Sequence, residues 1–380
     1  MKILFVLEYF YPHVGGVETS FSNLTRELAK NNEVLVITTR LPNSPKRERF
    51  EGVSILRIDV PPFARRFWFT FLSLKTLLMK ASGYDYIHTT AYNAAFPAWF
   101  VSKILRKKIV ITVPEVFGLD WFKLGEKNIL LKTLYYVYEQ VLFRLNFDLY
   151  IAISESTKKN LLDNFQIPSN KVKVIYCILD LDFWNPENYE GKSVREALGL
   201  EKVFLYLYYG RPGISKGVEY LVRAVPIIKK ILPSSKLILI LSRDPHSRYL
   251  MVKGMIKQLK IENDVLLLES VSREELPNYI SAVDCVVVPS LTEGFGYCAV
   301  ESTIMNKTVI STKVGAIPEL NPKGLFIKTK SEQAIAEALR FVNTKKKNST
   351  SVRNDLIKIL NKKKILKLYT NVVRTMLLSK

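Results

Sequence analysis

Cysteine and histidine are both scarce in this 380-residue sequence, with three copies of each. The cysteines, Cys177, Cys285 and Cys298, form neither a Cys-x-x-Cys pair nor a zinc-binding spacing, which indicates reduced, structural thiols. So few histidines make a His-rich metal site improbable. The sequence therefore predicts neither a bound metal nor a cofactor.

Long apolar runs are also missing, because no segment approaches the roughly 18 uninterrupted apolar residues of a membrane span. Residues 1–10, "MKILFVLEYF", have the apolar character of a secretory signal. However, Glu8 interrupts the run and no small-residue cleavage site follows it. We interpret the stretch as a first buried β-strand and expect a cytoplasmic protein.

Acidic residues are outnumbered, with 35 Asp and Glu against 56 Lys and Arg, and the formal net charge is +21. Such an excess favours an anionic partner, which could be a nucleic acid, a phosphorylated substrate or an acidic membrane surface. No RNP, zinc-finger or helix-turn-helix signature supports a nucleic-acid partner, so we expect none. The alternative is a basic soluble protein whose charge has no specific partner.

Short apolar or β-branched runs alternate with longer helical patterns along the whole chain. The predicted strands are 2–7, 33–38, 54–58, 86–88, 109–113, 149–153, 172–175, 203–208, 236–241, 265–268, 285–289, 308–311 and 324–327. The main predicted helices are 17–31, 127–146, 154–164, 218–232, 273–282 and 355–378. Most strands are continuous apolar runs, which is typical of parallel strands covered on both faces and predicts a doubly wound α/β fold.

This alternation breaks at residues 180–191, "DLDFWNPENYEG". The break predicts two facing Rossmann-like domains, with a ligand cleft at the carboxyl ends of their strands. We place the first domain at 1–185, the second at 195–350 and a C-terminal helical segment at 351–380.

Residues 206–221, "YLYYGRPGISKGVEYL", combine a strand end with Arg211, Lys216 and a new helix. Arginine offers a planar fork to phosphate oxygens and lysine offers a point charge. Because the loop follows a strand, both cations are predicted to point into the cleft. A basic surface loop is the alternative, and the Walker spacing is absent.

Residues 290–302, "SLTEGFGYCAVES", place Gly294, Gly296 and the start of a helix between Glu293 and Glu301. Main-chain amides at a helix start favour anions, whereas ionised carboxylates accept hydrogen bonds from hydroxyls. With Arg211 and Lys216, this set suits a ligand with a central diphosphate and hydroxyls at both ends. A nucleotide-sugar has that form.

Gly294, Gly296 and Ala299 also fit a dinucleotide fingerprint, with Glu319 as its acidic residue. In that fingerprint the first glycine follows its strand tightly, but here four residues separate Gly294 from the predicted strand end. Only two predicted strands follow the motif, too few for a fresh dinucleotide domain. We therefore disfavour a dinucleotide site.

The segment "YPHVGGVETS" puts Gly15 and Gly16 between the first strand and the first helix, where a main chain without side chains can approach a ligand. His13 and His88 are both predicted near strand ends that face the cleft. A plain tight turn and two structural histidines are the alternatives.

Together these motifs resemble the retaining glycosyltransferases of family four, which have the GT-B fold. The likeness covers nearly the whole chain. It rests on the Glu293/Glu301 spacing with "EGFG", on "GR" and "SKG" around Arg211 and Lys216, and on "PHVGGVE" and "VGAIPEL". Residues 152–161, 171–184 and 272–296 match as well.

The resemblance implies a metal-independent sugar transfer from a nucleotide-diphosphate-sugar such as a UDP- or GDP-sugar. It gives Arg211 and Lys216 to the diphosphate, Glu293 to the transferred sugar and Glu301 to the ribose. The remaining donor contacts that it implies are Gly16, Val271, Gly294, Phe295, Gly296 and Tyr297. It also implies that the last helix crosses back to the first domain.

One departure affects the acceptor side. Where the family often has a histidine after the "ITV" strand, this chain has Pro114 followed by Glu115. Glu115, His13 and His88 are therefore the acceptor-side candidates. The missing histidine keeps open the alternative of a nucleotide-sugar-binding protein without transferase activity.

A basic, aromatic segment begins at Phe63 and ends at Lys80, "FARRFWFTFLSLKTLLMK". On a helical wheel Phe67, Phe71, Leu74 and Leu78 share one face, which suits an amphipathic helix on an anionic bilayer. The alternative is a helix packed on the first sheet. The first interpretation predicts peripheral docking on the inner face of the cell membrane and a lipid-linked or cell-envelope glycan as acceptor.

Overall fold

The computed structural model describes residues 1–13, 15–125, 128–344 and 350–379, which form two compact units. Among these residues, unit one takes those within 1–123, 128–179 and 360–379. Unit two takes 124–125 and those within 180–359. Four predictions touch undescribed positions: residue 14 of the first glycine loop, residue 127 of the helix 127–146, residues 345–349 of the second domain, and residue 380.

Unit one is built on a sheet in the order β3-β4-β2-β1-β5-β6-β7-β8. Its strands are β1 (Lys2–Val6), β2 (Glu33–Thr39), β3 (Arg47–Phe50), β4 (Val53–Ile58), β5 (Tyr86–Thr90), β6 (Lys108–Val113), β7 (Leu149–Ala152) and β8 (Val172–Val174). All pairings are parallel except β3 with β4. The central strands are buried from their second residues onwards, as the mainly apolar sequences of β1, β2 and β6 predict.

Unit two has a parallel sheet in the order β11-β10-β9-β12-β13-β14. Its strands are β9 (Phe204–Gly210), β10 (Ser235–Leu241), β11 (Val265–Glu269), β12 (Cys285–Val288), β13 (Thr308–Thr312) and β14 (Leu325–Ile327). This is the strand order 3-2-1-4-5-6 of a Rossmann-like fold, in which ligands bind where the winding direction reverses.

The helices cover the faces of both sheets. In unit one they are α1 (Gly16–Ala29), α2 (Arg65–Ala81), α3 (Ala95–Ile104), α4 (Asp120–Lys123), α5 (Ile129–Arg144) and α6 (Glu155–Asn164). In unit two they are α7 (Gly191–Leu198), α8 (Val218–Ile231), α9 (His246–Gln258), α10 (Leu276–Ala282), α11 (Tyr297–Ile304), α12 (Ile317–Leu320), α13 (Glu332–Thr344) and α14 (Thr350–Ile359). The last helix, α15 (Lys362–Leu378), packs in unit one.

Each face of the first sheet has its own apolar core. One core joins α2, α3, α5 and α6 to the strands through side chains such as Phe69, Ala98, Phe143 and Leu161. The other joins α1 and α15 through side chains such as Phe21 and Val373. Two packed faces are what continuous apolar strands predict, and the doubly wound α/β prediction is confirmed.

Two local predictions need correction. Residues 355–378 are not one helix, because the chain breaks at Leu360 and Asn361, where the Asn361 side chain accepts a hydrogen bond from the Lys364 amide and caps α15. The edge strand β3 is absent from the prediction, since its sequence "RERF" is mostly charged and half exposed. The chain changes unit between Ile359 and Leu360, later than the predicted segment start at 351. Among the described residues, no helix is both long and apolar enough to cross a bilayer.

Candidate functional site

Strands β9 and β12 are neighbours at the centre of the second sheet, and the winding direction reverses between them. Their carboxyl ends lead into the two loops that the sequence singles out: residues 211–217 after β9 and residues 289–296 after β12. In parallel α/β sheets this reversal point opens a crevice for ligands. The fold therefore brings both motifs to one edge of unit two.

The two loops are tied to each other through their main chains. The Leu291 amide donates to the Ser215 carbonyl oxygen at 2.7 Å. Gly217, which precedes α8, has a φ of +64°, and a Cβ there would overlap the carbonyl oxygen of Pro289. Only glycine suits this position, because any other residue meets both the left-handed conformation and the contact.

A buried arginine supports the β9 loop from below. Arg248 on α9 donates through Nε to the Pro212 carbonyl oxygen at 3.2 Å, and its Nη2 lies 3.1 Å from Glu219 Oε2 on α8. Arg211, at the start of the loop, has a side chain that is 39% exposed, and its nearest ionic contact, with Asp244, is 3.8 Å long. The loop main chain is thus fixed while the Arg211 guanidinium lies open to solvent.

Lys216 and Glu293 form the central pair of the site. Lys216 Nζ donates to Glu293 Oε1 at 2.9 Å, and the Ser290 hydroxyl donates to the same oxygen at 2.8 Å. Glu293 is buried, whereas the Lys216 side chain is about one-third exposed. The sequence prediction gave these residues to different parts of a ligand, and the structure joins them directly. Ser290 is a partner that the prediction missed.

The segment "VGAIPEL" holds the main chain of Glu293. The Ala316 amide donates to the Glu293 carbonyl oxygen at 3.3 Å, and Gly315 lies against the same group. Gly315 has a φ of +52°, and a Cβ there would overlap that carbonyl. Because Gly315 has no side chain, the main chain of "VGAIPEL" can contact the main chain of Glu293. This segment therefore positions the loop 289–296.

Helix α11 begins at Tyr297, directly after Gly296. The Phe295 ring is buried and packs on the Tyr297 ring at 4.9 Å, so Phe295 can offer a ligand only its main chain. Gly294 lies in the same loop, which is eight residues long from Pro289 to Gly296. Such a loop is too long for the tight turn of the dinucleotide fingerprint, and Glu319 lies on α12 rather than at a strand end.

Glu301 is a buried carboxyl one turn further along α11. Its Oε2 accepts a hydrogen bond from the Tyr209 hydroxyl at 3.0 Å, and Ser302 Oγ lies 3.3 Å from that hydroxyl. Burial raises the pKa of Glu301 to about 8, although the Tyr209 hydrogen bond and the Arg273 charge both lower it. A ligand that donates further hydrogen bonds to this carboxyl would stabilise its ionised form.

Val271 is half-buried in the loop after β11, on the same edge of the sheet but two strands from β9. Arg273, two residues on, stacks over the Phe183 ring at 4.4 Å, and its charge acts on Glu301. The predicted base-binding loop and the predicted ribose carboxylate are therefore linked electrostatically.

Unit one has a winding reversal of its own, between β1 and β5. Glu8, just beyond β1, accepts a hydrogen bond from the Asn93 amide at 2.5 Å, and Arg66 Nε lies 3.5 Å from its other oxygen. Burial raises the pKa of Glu8, and the Arg66 charge opposes that rise. The sequence prediction used Glu8 only to exclude a signal peptide. A carboxylate directly after a buried apolar strand was the signal for this site.

His13 contacts Tyr9, the residue that follows Glu8. Its Nδ1 is 3.2 Å from Glu18 Oε1, and its ring stacks on Tyr9 at 4.6 Å. Gly16 is the first residue of α1, and its contact with donor phosphates stays a prediction. Glu115 follows β6 and is half-buried. Its acceptor-side role also stays a prediction.

The structure corrects the predicted position of His88. It is the third residue of β5 rather than the strand end, and its side chain has no exposed surface. Its Nδ1 lies 2.7 Å from the Tyr369 hydroxyl and its Nε2 lies 2.8 Å from Thr112 Oγ1. Burial lowers the pKa of His88 to about 3, so the ring is neutral. His88 joins α15 to the sheet and is a structural histidine.

Comparison with known proteins places this geometry in context. Residues 14–183 match the model for Glycosyltransferase Family 4, and residues 192–360 match the model for Glycosyl transferases group 1. A crystal structure of Anabaena HepE in complex with UDP and glucose superposes with a TM-score of 0.80 at 19% identity, covering 99% of this chain and 100% of that one. Each half of the chain therefore matches a glycosyltransferase family model, and the chain has the GT-B fold.

Further proteins are similar over most of the chain. Sucrose-phosphate synthase from Thermosynechococcus elongatus has a TM-score of 0.83 at 19% identity, with 99% of both chains covered. An uncharacterized glycosyltransferase of Methanocaldococcus jannaschii is 28% identical over 88% of this chain and 87% of its own. The GPI3 subunit of the Saccharomyces cerevisiae phosphatidylinositol N-acetylglucosaminyltransferase is 22% identical, over 98% and 84%.

The charged groups of the β9–β12 edge are side chains of one unit. Among the described residues, no group of three or more His, Cys, Asp or Glu side chains is arranged to hold a metal ion. In the loops 211–217 and 289–296 the cationic side chains are Arg211 and Lys216.

Proposed function

We propose that the protein is a retaining glycosyltransferase of family four, which moves a sugar from a nucleotide-diphosphate-sugar to an acceptor hydroxyl. The observation that carries this proposal is the grouping of Arg211, Lys216, Glu293 and Glu301 at one winding reversal. This edge combines exposed positive charge with two buried carboxyls. A diphosphate flanked by hydroxyl-rich groups is the ligand that satisfies both.

The diphosphate of the donor is assigned to the cations. Breaking the bond between the sugar carbon and the phosphate oxygen leaves the electron pair, and hence a negative charge, on the diphosphate. Arg211 and Lys216 stabilise that charge without a metal, in positions fixed before the reaction. The UDP bound to the Anabaena neighbour supports a nucleotide of this kind.

The Lys216–Glu293 pair sets the donor sugar against its leaving group. Because Lys216 Nζ already contacts Glu293, a phosphate oxygen that approaches the ammonium brings the attached sugar next to the carboxylate. Glu293 then accepts hydrogen bonds from sugar hydroxyls, while the Ser290 hydroxyl continues to donate to Glu293 Oε1. The acceptor oxygen attacks from the face that the leaving group vacates, and its proton passes to the leaving phosphate.

The ribose is assigned to Glu301. Two adjacent hydroxyls can both donate to one carboxylate, and their hydrogen bonds stabilise its ionised form. Donor binding is therefore expected to release a proton from Glu301 at neutral pH.

The acceptor is proposed to be a lipid-linked or cell-envelope glycan, reached from a membrane surface. The side chains of Phe63, Phe67 and Phe71 are each more than half exposed at and along α2. One relative is named for transfer to phosphatidylinositol. We accordingly propose a protein of the cytoplasm that docks peripherally on an anionic membrane.

A panel of UDP-, GDP- and ADP-sugars tests the proposal, with donor hydrolysis and transfer both measured. For the preferred donor we expect Lys216→Ala and Glu293→Gln each to lower kcat by about 10²–10³. Lys202→Ala is the matched control, since Lys202 is an exposed lysine of the same unit outside the site. Tight nucleotide-sugar binding without turnover on any acceptor would instead identify a binding protein.

A further inference from the structure

Helices α2, α3 and α5 lie side by side on one face of the first sheet. Their inward side chains share one core, which includes Phe69 of α2 and Leu142 of α5. Asn93 connects the two outer helices, because its carbonyl oxygen accepts from Thr70 and its side-chain oxygen accepts from the Tyr138 hydroxyl at 2.7 Å. The outward faces of all three helices therefore point away from the same side of the sheet.

The outward face of α5 is apolar. Leu130, Leu134, Val137 and Val141 are 65%, 57%, 49% and 48% exposed, and their spacing of four, three and four residues places them on one stripe. The buried residues of α5, Glu139, Leu142 and Phe143, lie on the opposite side of the helix. The sequence pattern of α5 reads as an ordinary buried helix, and only the structure shows that this stripe is uncovered.

The stripe continues on the neighbouring helices. Exposed apolar side chains follow on α3 with Phe100 and Ile104, and on α2 with Phe67, Phe71 and Met79. Exposed apolar side chains gathered on neighbouring helices mark contact with a partner or a membrane.

Charge distinguishes between those two occupants. The only carboxylate in α2, α3 and α5 is Glu139, and it is fully buried. The exposed cations around the surface are Lys75, Lys80, Lys103, Arg106 and Arg144. A second copy of the chain would set these cations against one another with no exposed carboxylate on the three helices to compensate, which is unfavourable. An anionic lipid surface complements both the apolar side chains and the cations.

We infer that the outward faces of α2, α3 and α5 form one membrane-docking surface, with the α5 stripe inserted among anionic lipid headgroups. This inference rests on the membrane docking proposed above for α2. It extends that docking to a broad three-helix face, which holds unit one flat on the bilayer instead of tethering it by one helix.

Flotation of the full-length protein with phosphatidylglycerol vesicles tests the surface. We expect binding at low salt that weakens with added salt, and little binding to phosphatidylcholine vesicles. The double variant Leu134→Asp and Val137→Asp should lower vesicle affinity at least tenfold. The matched control is Leu368→Asp, since Leu368 is an exposed leucine of α15 on the opposite face of the sheet.

A second pair of variants keeps the test valid if the α5 double variant folds poorly. Lys75→Glu and Lys103→Glu change exposed residues only, and each is expected to weaken binding about fivefold or more. Unchanged vesicle affinity in all of these variants would overturn the inference, as would a dimer in lipid-free buffer that the α5 substitutions dissociate. Hydrolysis of a soluble donor in the same buffer reports on the transferase site separately, so failure of one proposal is distinguishable from failure of the other.

Discussion

The buried carboxyl of Glu301 gives the protein a stability that depends on pH. Its pKa rises from an ordinary value of 4.5 to about 8 on folding, because the side chain leaves water. The folded protein therefore holds this proton more tightly than the unfolded chain does. The contribution to the free energy of unfolding is complete below about pH 4.5 and is lost as the pH rises towards 8.

The size of the effect follows from the shift. Between the two pKa values each pH unit lowers the free energy of unfolding by about 1.4 kcal/mol, and the total upper limit is about 5 kcal/mol. Glu301→Gln removes the titration but keeps an oxygen that accepts the Tyr209 hydrogen bond. We expect the stability of the native protein relative to this variant to fall by about 2–3 kcal/mol between pH 5.5 and 7.5.

Urea unfolding of both proteins at four pH values measures this difference. Glu274→Gln serves as the control, because Glu274 is an exposed glutamate of the same unit and its removal should leave the pH profile unchanged. A native-minus-variant difference that stays constant from pH 5.5 to 7.5 would refute the reasoning. It would mean that Glu301 is ionised in the folded protein despite its burial.

Two further substitutions test other parts of the structure. Gly315→Ala should lower donor affinity at least tenfold and destabilise unit two by about 1–3 kcal/mol, because the added Cβ displaces the Glu293 carbonyl; unaltered donor binding in calorimetry would contradict this role. His88→Leu should cost about 2–4 kcal/mol by leaving the Tyr369 and Thr112 hydroxyls without their partner, with kcat nearly unchanged. A large loss of kcat at full stability would return His88 to the acceptor site.

The fold was largely predictable because most buried parallel strands have continuous apolar sequences. All thirteen predicted strands lie within a residue or two of observed ones. The missing strand, Arg47–Phe50, pairs only at the sheet edge and has no apolar run to reveal it. The break at Asn361 was missed because its cap needs a single asparagine inside an otherwise helical pattern.

The positions of the residues proposed to bind the donor were more predictable than those of the acceptor-side candidates, although both roles stay predictions. Arg211, Lys216 and Glu293 lie in recognisable loops after strand ends, and Glu301 lies in the helix that follows the second loop, so topology alone brings them to one edge. Hydrogen-bond partners such as Tyr209 were not predictable, because they come from the middle of other elements. His88 was predicted at a strand end because it is a polar residue after an apolar run. Its partner Tyr369 is 281 positions away in the sequence, so the buried hydrogen bond could not be predicted.

The packing of α15 has a consequence for how the protein is made. Ile365, Tyr369, Val373 and Met376 complete a core whose other buried members come from the first 180 residues. On the ribosome, residues 180–359 emerge as one continuous stretch and can fold at once. Unit one must wait, with one face of its sheet covered by α1 but not by α15, until that last helix has left the exit tunnel. The first strand to be synthesised is thus among the last to reach its finished surroundings, and a nascent chain stalled before residue 362 would expose that apolar face to chaperones.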